Sequence, residues 1–472
     1  MPGGAGVSHG KPSSYTPPTV PASLNRRFFR LTLINILSNL TIPVAGLVDT
    51  ALLGHLPNIR FLAGVALATL LFDYVYWTFG FLRMGTTGTT AQAVGAAALA
   101  GATEADRGEV FRALYRPLLV AAVLGAAVLA LQGPLAGLGF SLLSGTPGVE
   151  AAGRDYFFAR IWGAPATLAN FALLGWFLGR EESGRALAMS ATANLVNVAL
   201  NWVFIVELGW AARGAGLATA ISQYAQLAVA LWLLWRTFAA ARQAGSGSWL
   251  PGWRRAAVFD RRRLRELVSL NADILVRTLL LTTAFALFMN FSSLLGTAIL
   301  AANAILIRLF YLAAYSMDGA AFATESLAGI FRGAGDGASL RRLVRLSMVT
   351  GVAFAALFLA AYFAAPGLVL GLLTDHADVA ALARATAPWL VPVLLFGAAA
   401  FIYDGLFLGL TAGRALRNSM LVSTLVVFLP AAWAALQLGS NAGLWLALSL
   451  FMAARAGTLA WASRRLLAPA SV

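Results

Sequence analysis

Three observations predict an all-α polytopic membrane protein, with twelve transmembrane helices in two six-helix lobes related by a pseudo-twofold axis along the membrane normal. Of 472 residues, 60% are hydrophobic and 11% charged, against about 25% charged in soluble domains. Apolar runs of about 20 residues, the length of a membrane-crossing helix, recur along the whole chain. The third observation is an internal repeat. Trp176-Phe-Leu-Gly-Arg-Glu-Glu-Ser-Gly184-Arg-Ala-Leu recurs as Leu406-Phe-Leu-Gly-Leu-Thr-Ala-Gly413-Arg-Ala-Leu, and Met84-Gly-Thr-Thr-Gly aligns with Asp318-Gly-Ala-Ala-Phe. Asp49-Thr-Ala-Leu-Leu-Gly54 lines up with Phe291-Ser-Ser-Leu-Leu-Gly296. Each copy holds an even number of spans, so both enter the membrane from the same side, as in carriers that rock two lobes about a central cavity.

The apolar runs place spans near 31–53, 61–83, 113–133, 151–178, 186–206, 212–235, 266–290, 297–325, 344–371, 385–410, 416–438 and 441–462. The expected organisation is a disordered tail over 1–24, an N-terminal lobe over 25–238, a basic linker over 239–265, a C-terminal lobe over 266–465 and a tail over 466–472. Residues 1–24 are rich in Pro, Gly and Ser with no apolar stretch, unlike a signal peptide. Arg and Lys fall almost entirely in alternate connections, with the densest cluster between Arg236 and Arg265, while the other side receives only Arg60, Arg154, Arg213 and Arg384. The positive-inside rule then makes both termini and the linker cytoplasmic. The net charge of +15 is thus a topology signal and not a nucleic-acid footprint. Arg far outnumbering Lys suits a GC-rich genome, and a bacterial inner membrane is the expected location.

In the first span, Asp49 is a lone carboxylate in an apolar stretch. A charge at that depth costs roughly 2.5–3.5 kcal/mol on insertion scales, so such residues are rare and mark function. Burial disfavours the charged form, which suits a group that loads and unloads a proton; the alternative is an Asp at the helix end in the headgroup layer. Pro43 removes a backbone donor six residues earlier and offers a hinge. In the fifth span Asn194, Asn197 and Asn201 share one helical face, for which interhelical glue is the alternative role. Thr219, Ser222 and Gln223 form a second polar face in the sixth span. The repeat partners of Asp49, Asn197 and Asn201 are Phe291, Val426 and Pro430, so coupling chemistry belongs to the N-terminal lobe. In the C-terminal lobe Asp273 and Arg277, four apart, are expected to pair with each other. Asp318 and Glu325 share a face and read as a structural charge network anchoring a gate. The aromatic group Phe72, Tyr74, Tyr76, Trp77 and Phe79 suits an interface belt or packing surface.

Cysteine is absent, which excludes disulfides, thiolate nucleophiles and Cys-ligated metals. No Walker A loop, GxGxxG or HExxH motif occurs and the three histidines are scattered, so neither an enzyme nor a metal site is expected.

The chain resembles the multidrug and toxic compound extrusion (MATE) family in its DinF-like branch. The carriers are Pro43-x5-Asp49-Thr-x4-His55-Leu, Gly175-Trp-Phe-Leu-Gly-Arg-Glu-x2-Gly-Arg-Ala-Leu, Asn197-x3-Asn201, Asp318-Gly-x5-Glu325 and Asp404-Gly-Leu-Phe-Leu-Gly409. The resemblance spans about Phe28 to Arg465. It implies twelve helices around a central cleft and export of organic compounds against inward proton or sodium flow, with no organic cofactor. It assigns the proton-linked role to Asp49, joined by a polar network of Asn197, Thr219 and, in the fourth span, Tyr156. Asn201 stands where several family members carry Asp, so no shared-proton carboxylate pair exists here and Asp49 couples alone. Expected partners are small organic substrates and the lipid bilayer, with the monomer as the unit. The leading reading is a proton-coupled antiporter for amphipathic, mostly cationic compounds. Alternatives are an organic-anion exporter (citrate or phenolic acids), a sodium-coupled drug exporter and a lipid-linked precursor flippase.

Overall fold

The computed structural model describes residues 23–143, 145–243 and 251–466, with the side chains of residues 42–45 and 47 outside the described set. The two tails expected from sequence therefore lie almost wholly outside it. Twelve long helical segments follow one another: α1 Leu24–Gly54, α2 Arg60–Ala97, α3 Glu104–Ala130, α4 Pro147–Gly179, α5 Ser183–Glu207, α6 Ala211–Ala241, α7 Arg261–Leu295, α8 Thr297–Gly333, α9 Gly337–Ala364, α10 Ala377–Gly409, α11 Gly413–Gln437 and α12 Asn441–Leu466. Among the described residues, eleven segments (α2 to α12, that of α7 counted from Arg255) are long and apolar enough to cross a membrane, and α1 completes the twelve.

Local chemistry sets the boundaries. Thr103 and Asp106 form a reciprocal capping box at the start of α3, and the Asp260 carboxylate accepts from two backbone amides at the start of α7. Pro165 and Pro388 each lack a backbone donor. Both follow or occupy a short 3-10 turn, Ile161–Gly163 in α4 and Ala387–Trp389 in α10, that interrupts the α-helical pattern. α1 runs as one helix across Pro43, whose side chain is outside the described set. α6 and α7 run further into the basic segment than the apolar runs suggested. Residues 251–257 are held against α3, since Arg112 donates to Gly252 O (3.2 Å), Tyr115 to Pro251 O (3.0 Å) and Arg116 to Ala257 O (2.9 Å).

The repeat is visible in backbone geometry. Two non-glycine residues adopt the left-handed conformation at matching corners, Glu181 (φ 61°) after α4 and Thr411 (φ 53°) after α10. Gly209 and Gly439 match in the same way (φ 66° and 59°). A π-helical segment also occurs in each matching helix, Trp202–Glu207 in α5 and Val422–Phe428 in α11.

We call the face from which α1 starts the terminal face and the opposite one the distal face. The cores divide along this axis. In the distal half, the buried residues of one apolar cluster, around Phe72, Phe140, Phe157 and Ile205, all lie in the N-terminal lobe, and those of another, around Phe288, Phe310, Trp445 and Phe451, in the C-terminal lobe. In the terminal half two clusters cross between lobes, Phe28 and Leu31 packing with Leu327 and Leu406, and Phe81 and Leu168 with Ile274 and Phe407, beside one around Trp176 and Leu234 that stays in the N-terminal lobe. Cross-lobe hydrogen bonds follow the same rule. Gln92 donates to Gly409 O (2.9 Å), Ser326 to Leu178 O (2.7 Å) and Asn39 to Tyr315 O (3.4 Å). Among the described residues none joins the lobes beyond Asn39. Among the described residues the lobes are thus packed together in the terminal half and share no core cluster or hydrogen bond in the distal half.

Candidate functional site

A chain of polar side chains crosses the interior of the distal half of the N-terminal lobe. Asn201 Nδ2 donates to the Asp49 carboxylate and, at 3.1 Å, to Asn197 Oδ1. Asn197 Nδ2 in turn donates to Thr219 Oγ1 at 3.3 Å, and the Thr219 hydroxyl donates to Ala215 O at 2.9 Å. Helical spacing explains the arrangement: Asn197 and Asn201 lie one turn apart on α5, facing α1 on one side and α6 on the other. Both amides are buried while Asp49 is half-buried. The amide oxygen of Asn201 is buried and has no hydrogen-bond partner among the described residues.

Tyr156 stands apart from that chain. It is buried on α4 and its hydroxyl accepts from Arg160 at 2.8 Å. The guanidinium of Arg160 lies 4.4 Å from the Phe72 ring centroid, a cation–π contact, and within electrostatic reach of Asp49 and Asp73. A cavity of about 50 Å³ lined by Arg160, Thr167, Thr219 and Gln223 lies between the two polar groups, room enough for water. Asn194 is half-buried and makes no side-chain hydrogen bond among the described residues. The aromatic group divides: Phe72 stacks on Tyr76 and Phe157 inside the lobe, whereas Tyr74 and Trp77 face outward.

A second buried polar system occupies the terminal half, largely in the C-terminal lobe. Here the expected Asp273–Arg277 pair does not form. Arg277 and Arg455 both donate to one oxygen of Asp404, the latter at 2.7 Å. Asp273 instead accepts from Arg417 on α11. Four-residue spacing merely permits a pair within α7; α10, α11 and α12 supply partners that also neutralise Arg455, which has no solvent exposure. Glu325 faces Arg83 of the other lobe at 3.6 Å, with no hydrogen-bond partner on either carboxylate oxygen. Asp318 is half-buried, makes no ion pair among the described residues, and lies within reach of Arg83 and Arg277. Arg83, Arg160 and Arg455 are missing from the sequence expectations. Each is an arginine inside an apolar run, the same signal that singled out Asp49. No cluster of three or more metal-ligating side chains occurs among the described residues.

Two helical lobes, packed together in one half and each with its own core in the other, where a buried polar chain runs, define a polytopic carrier. The comparisons agree with that class. The family model described as MatE matches residues 35–203 and 274–434. The chain is 35% identical over 446 residues to DNA damage-inducible protein F of Escherichia coli (strain K12), covering 94% of this chain and 93% of that protein. Protein DETOXIFICATION 44, chloroplastic, of Arabidopsis thaliana is 24% identical over 430 residues, covering 89% and 78%. Among solved structures, an outward-facing multidrug resistance MATE family transporter of the MOP superfamily superposes with TM-score 0.81 at 18% identity, covering 94% of this chain and 96% of its own. A MOP superfamily transporter from Pyrococcus furiosus, its binding pocket described as of reverse polarity, gives 0.82 at 17% identity, covering 95% and 98%. The chain belongs to the MATE family of multidrug transporters, and is a multi-pass secondary transporter, not an enzyme.

Proposed function

We propose that this protein is a proton-coupled antiporter of the bacterial inner membrane that exports amphipathic, mostly cationic organic compounds by alternating access, with Asp49 as the protonation site and the terminal face in the cytoplasm. The observation that carries the reading is the hydrogen bond from Asn201 to Asp49 at the head of the buried polar chain. An ionised carboxylate only accepts hydrogen bonds, and the Asn201 amide N–H supplies one. A protonated carboxylic acid must also donate, and the unpartnered Asn201 oxygen is an acceptor within the same amide. Rotating that amide lets one residue serve both protonation states. Neutral Asp49 no longer attracts a cationic substrate, and a proton taken from the distal side thus releases cargo to that side. The basic segment around Arg254–Arg265 on the terminal face supports the orientation through the positive-inside rule.

The test is efflux of a fluorescent cation from proteoliposomes under an imposed pH or sodium gradient. Asp49→Asn is expected to abolish pH-driven efflux with the unfolding temperature unchanged. Wild-type efflux by this variant at equal incorporation overturns the assignment of Asp49, and efflux driven by sodium alone overturns proton coupling. Arg160 favours a second reading, since its half-buried guanidinium, beside the small cavity it lines with Thr219, suits an organic anion. Stimulated export of a phenolic carboxylate, lost in Arg160→Gln and intact in Asp49→Asn, would select it.

A further inference from the structure

A groove of about 1180 Å³ opens at the terminal face between the lobes, walled by the ends of α2 and α3 on one side and by α7, α11 and α12 on the other. Its charges are unevenly matched. Each of its four carboxylates already has a partner. Asp106 accepts from the Thr103 cap at 2.9 Å, and Glu109 holds Arg112 (2.7 Å) together with Arg116. Glu266 holds Arg262 and Arg263 at 3.1 and 3.4 Å, and Asp273 holds Arg417. Three further arginines of the lining, Arg265, Arg414 and Arg465, form no ion pair among the described residues. Arg465 stacks over Trp461 at 4.0 Å, which leaves its donors free. The rim is apolar: Val422, Trp461 and Leu466 line the groove and are exposed. A surplus of positive charge beside an exposed apolar rim matches a ligand that is anionic at one end and hydrocarbon at the other.

We propose that this groove binds one anionic phospholipid of the adjoining leaflet, with its phosphate on Arg265 and Arg414, its glycerol region beside Arg465, and an acyl chain along Val422 and Trp461. Placing that leaflet on the cytoplasmic side rests on the orientation proposed above; the groove's chemistry does not. Because both lobes wall the groove, a lipid seated there favours the closed arrangement of the terminal face.

The purified full-length protein is reconstituted in vesicles of equal phosphatidylglycerol and phosphatidylcholine, re-extracted in detergent, and its retained lipid measured by mass spectrometry. Phosphatidylglycerol should be enriched over phosphatidylcholine. Each arginine removed should cost about five-fold, so R265Q/R414Q should lower the enrichment about 25-fold. R342Q/R345Q, which removes two exposed arginines of α9 on the same face, should leave it unchanged, and millimolar inorganic phosphate should not displace the lipid. Equal retention of the two lipids by the wild type overturns the proposal, even where the glutamine variant does not fold. Displacement by inorganic phosphate, or a loss in R265K/R414K as complete as in the glutamine pair, also overturns it. Retention is read without transport or sidedness, whereas a C-terminal reporter fusion reads sidedness alone, so the two ideas fail separately.

Discussion

Asn201 is the residue on which the polar chain turns, because its single amide meets both Asp49 and Asn197. Asn201→Leu should therefore abolish coupled efflux, and by leaving two polar partners unpaired it should destabilise the fold by about 1–3 kcal/mol. Asn201→Asp keeps an acceptor and restores a titratable group, so pH-driven efflux should persist with a shifted pH profile. Efflux assays on both variants across pH check this, and wild-type efflux in the leucine variant would reduce the position to packing. Asp404 is the opposite case, one carboxylate serving two buried guanidiniums. Asp404→Ala leaves Arg277 and Arg455 uncompensated and should cost about 3–5 kcal/mol, read as a lower unfolding temperature in detergent. Residues of this kind were partly legible in the sequence. Asp49 and the three asparagines stand out because a polar group in an apolar run is costly wherever it points. Which helix supplies its partner is not encoded in spacing: Asp273 pairs with Arg417 and not with Arg277 four residues on, and Tyr156 with Arg160 and not with Asn197. The positive-inside pattern is carried by arginines in the connections and says nothing of Arg83, Arg160 and Arg455 inside the spans.

At the scale of elements, the terminal closure is a backbone contact. A Cβ added to Gly95 on α2 would lie 2.0 Å from Ile330 O on α8, and one added to Gly333 would lie 2.0 Å from Gln92 O. Gly88 meets Leu408 O of α10 in the same way, at 2.2 Å. Only glycine permits this approach. Gly95→Ala charges about 1–3 kcal/mol of overpacking to the closed arrangement alone, and should shift the population toward a terminal-open state about 5- to 150-fold. Spin labels on α2 and α8 at the terminal face should report the longer distance, and an unchanged distribution would show that the contact yields without opening. The positions of the helices themselves were legible, because a run of about 20 apolar residues permits little else in a bilayer. The breaks at Pro165 and Pro388 and the two π-helical segments were not, since they depend on packing that composition does not record.

The whole molecule was legible to the extent that its sequence repeats. Matching motifs half a chain apart implied two like lobes, and the paired left-handed corners at Glu181 and Thr411 are their structural counterpart. Nothing in the repeat says which face is closed; that follows from cross-lobe clusters that form only in the terminal half. The connection between the lobes has a different consequence. Residues 251–257 are fastened to α3 by three backbone-directed hydrogen bonds, so the second lobe begins, mechanically, with a strap belonging to the first. Each lobe has its own distal core, and covalent continuity adds effective concentration alone. Two polypeptides, one ending at residue 244 and the other starting at residue 250, should therefore find each other in the membrane and export substrate together. Moving the cut to residue 259 would leave the strap on the first lobe, where it no longer ties the second lobe to it. The halves should then co-purify poorly, a difference that a two-tag pull-down reads directly.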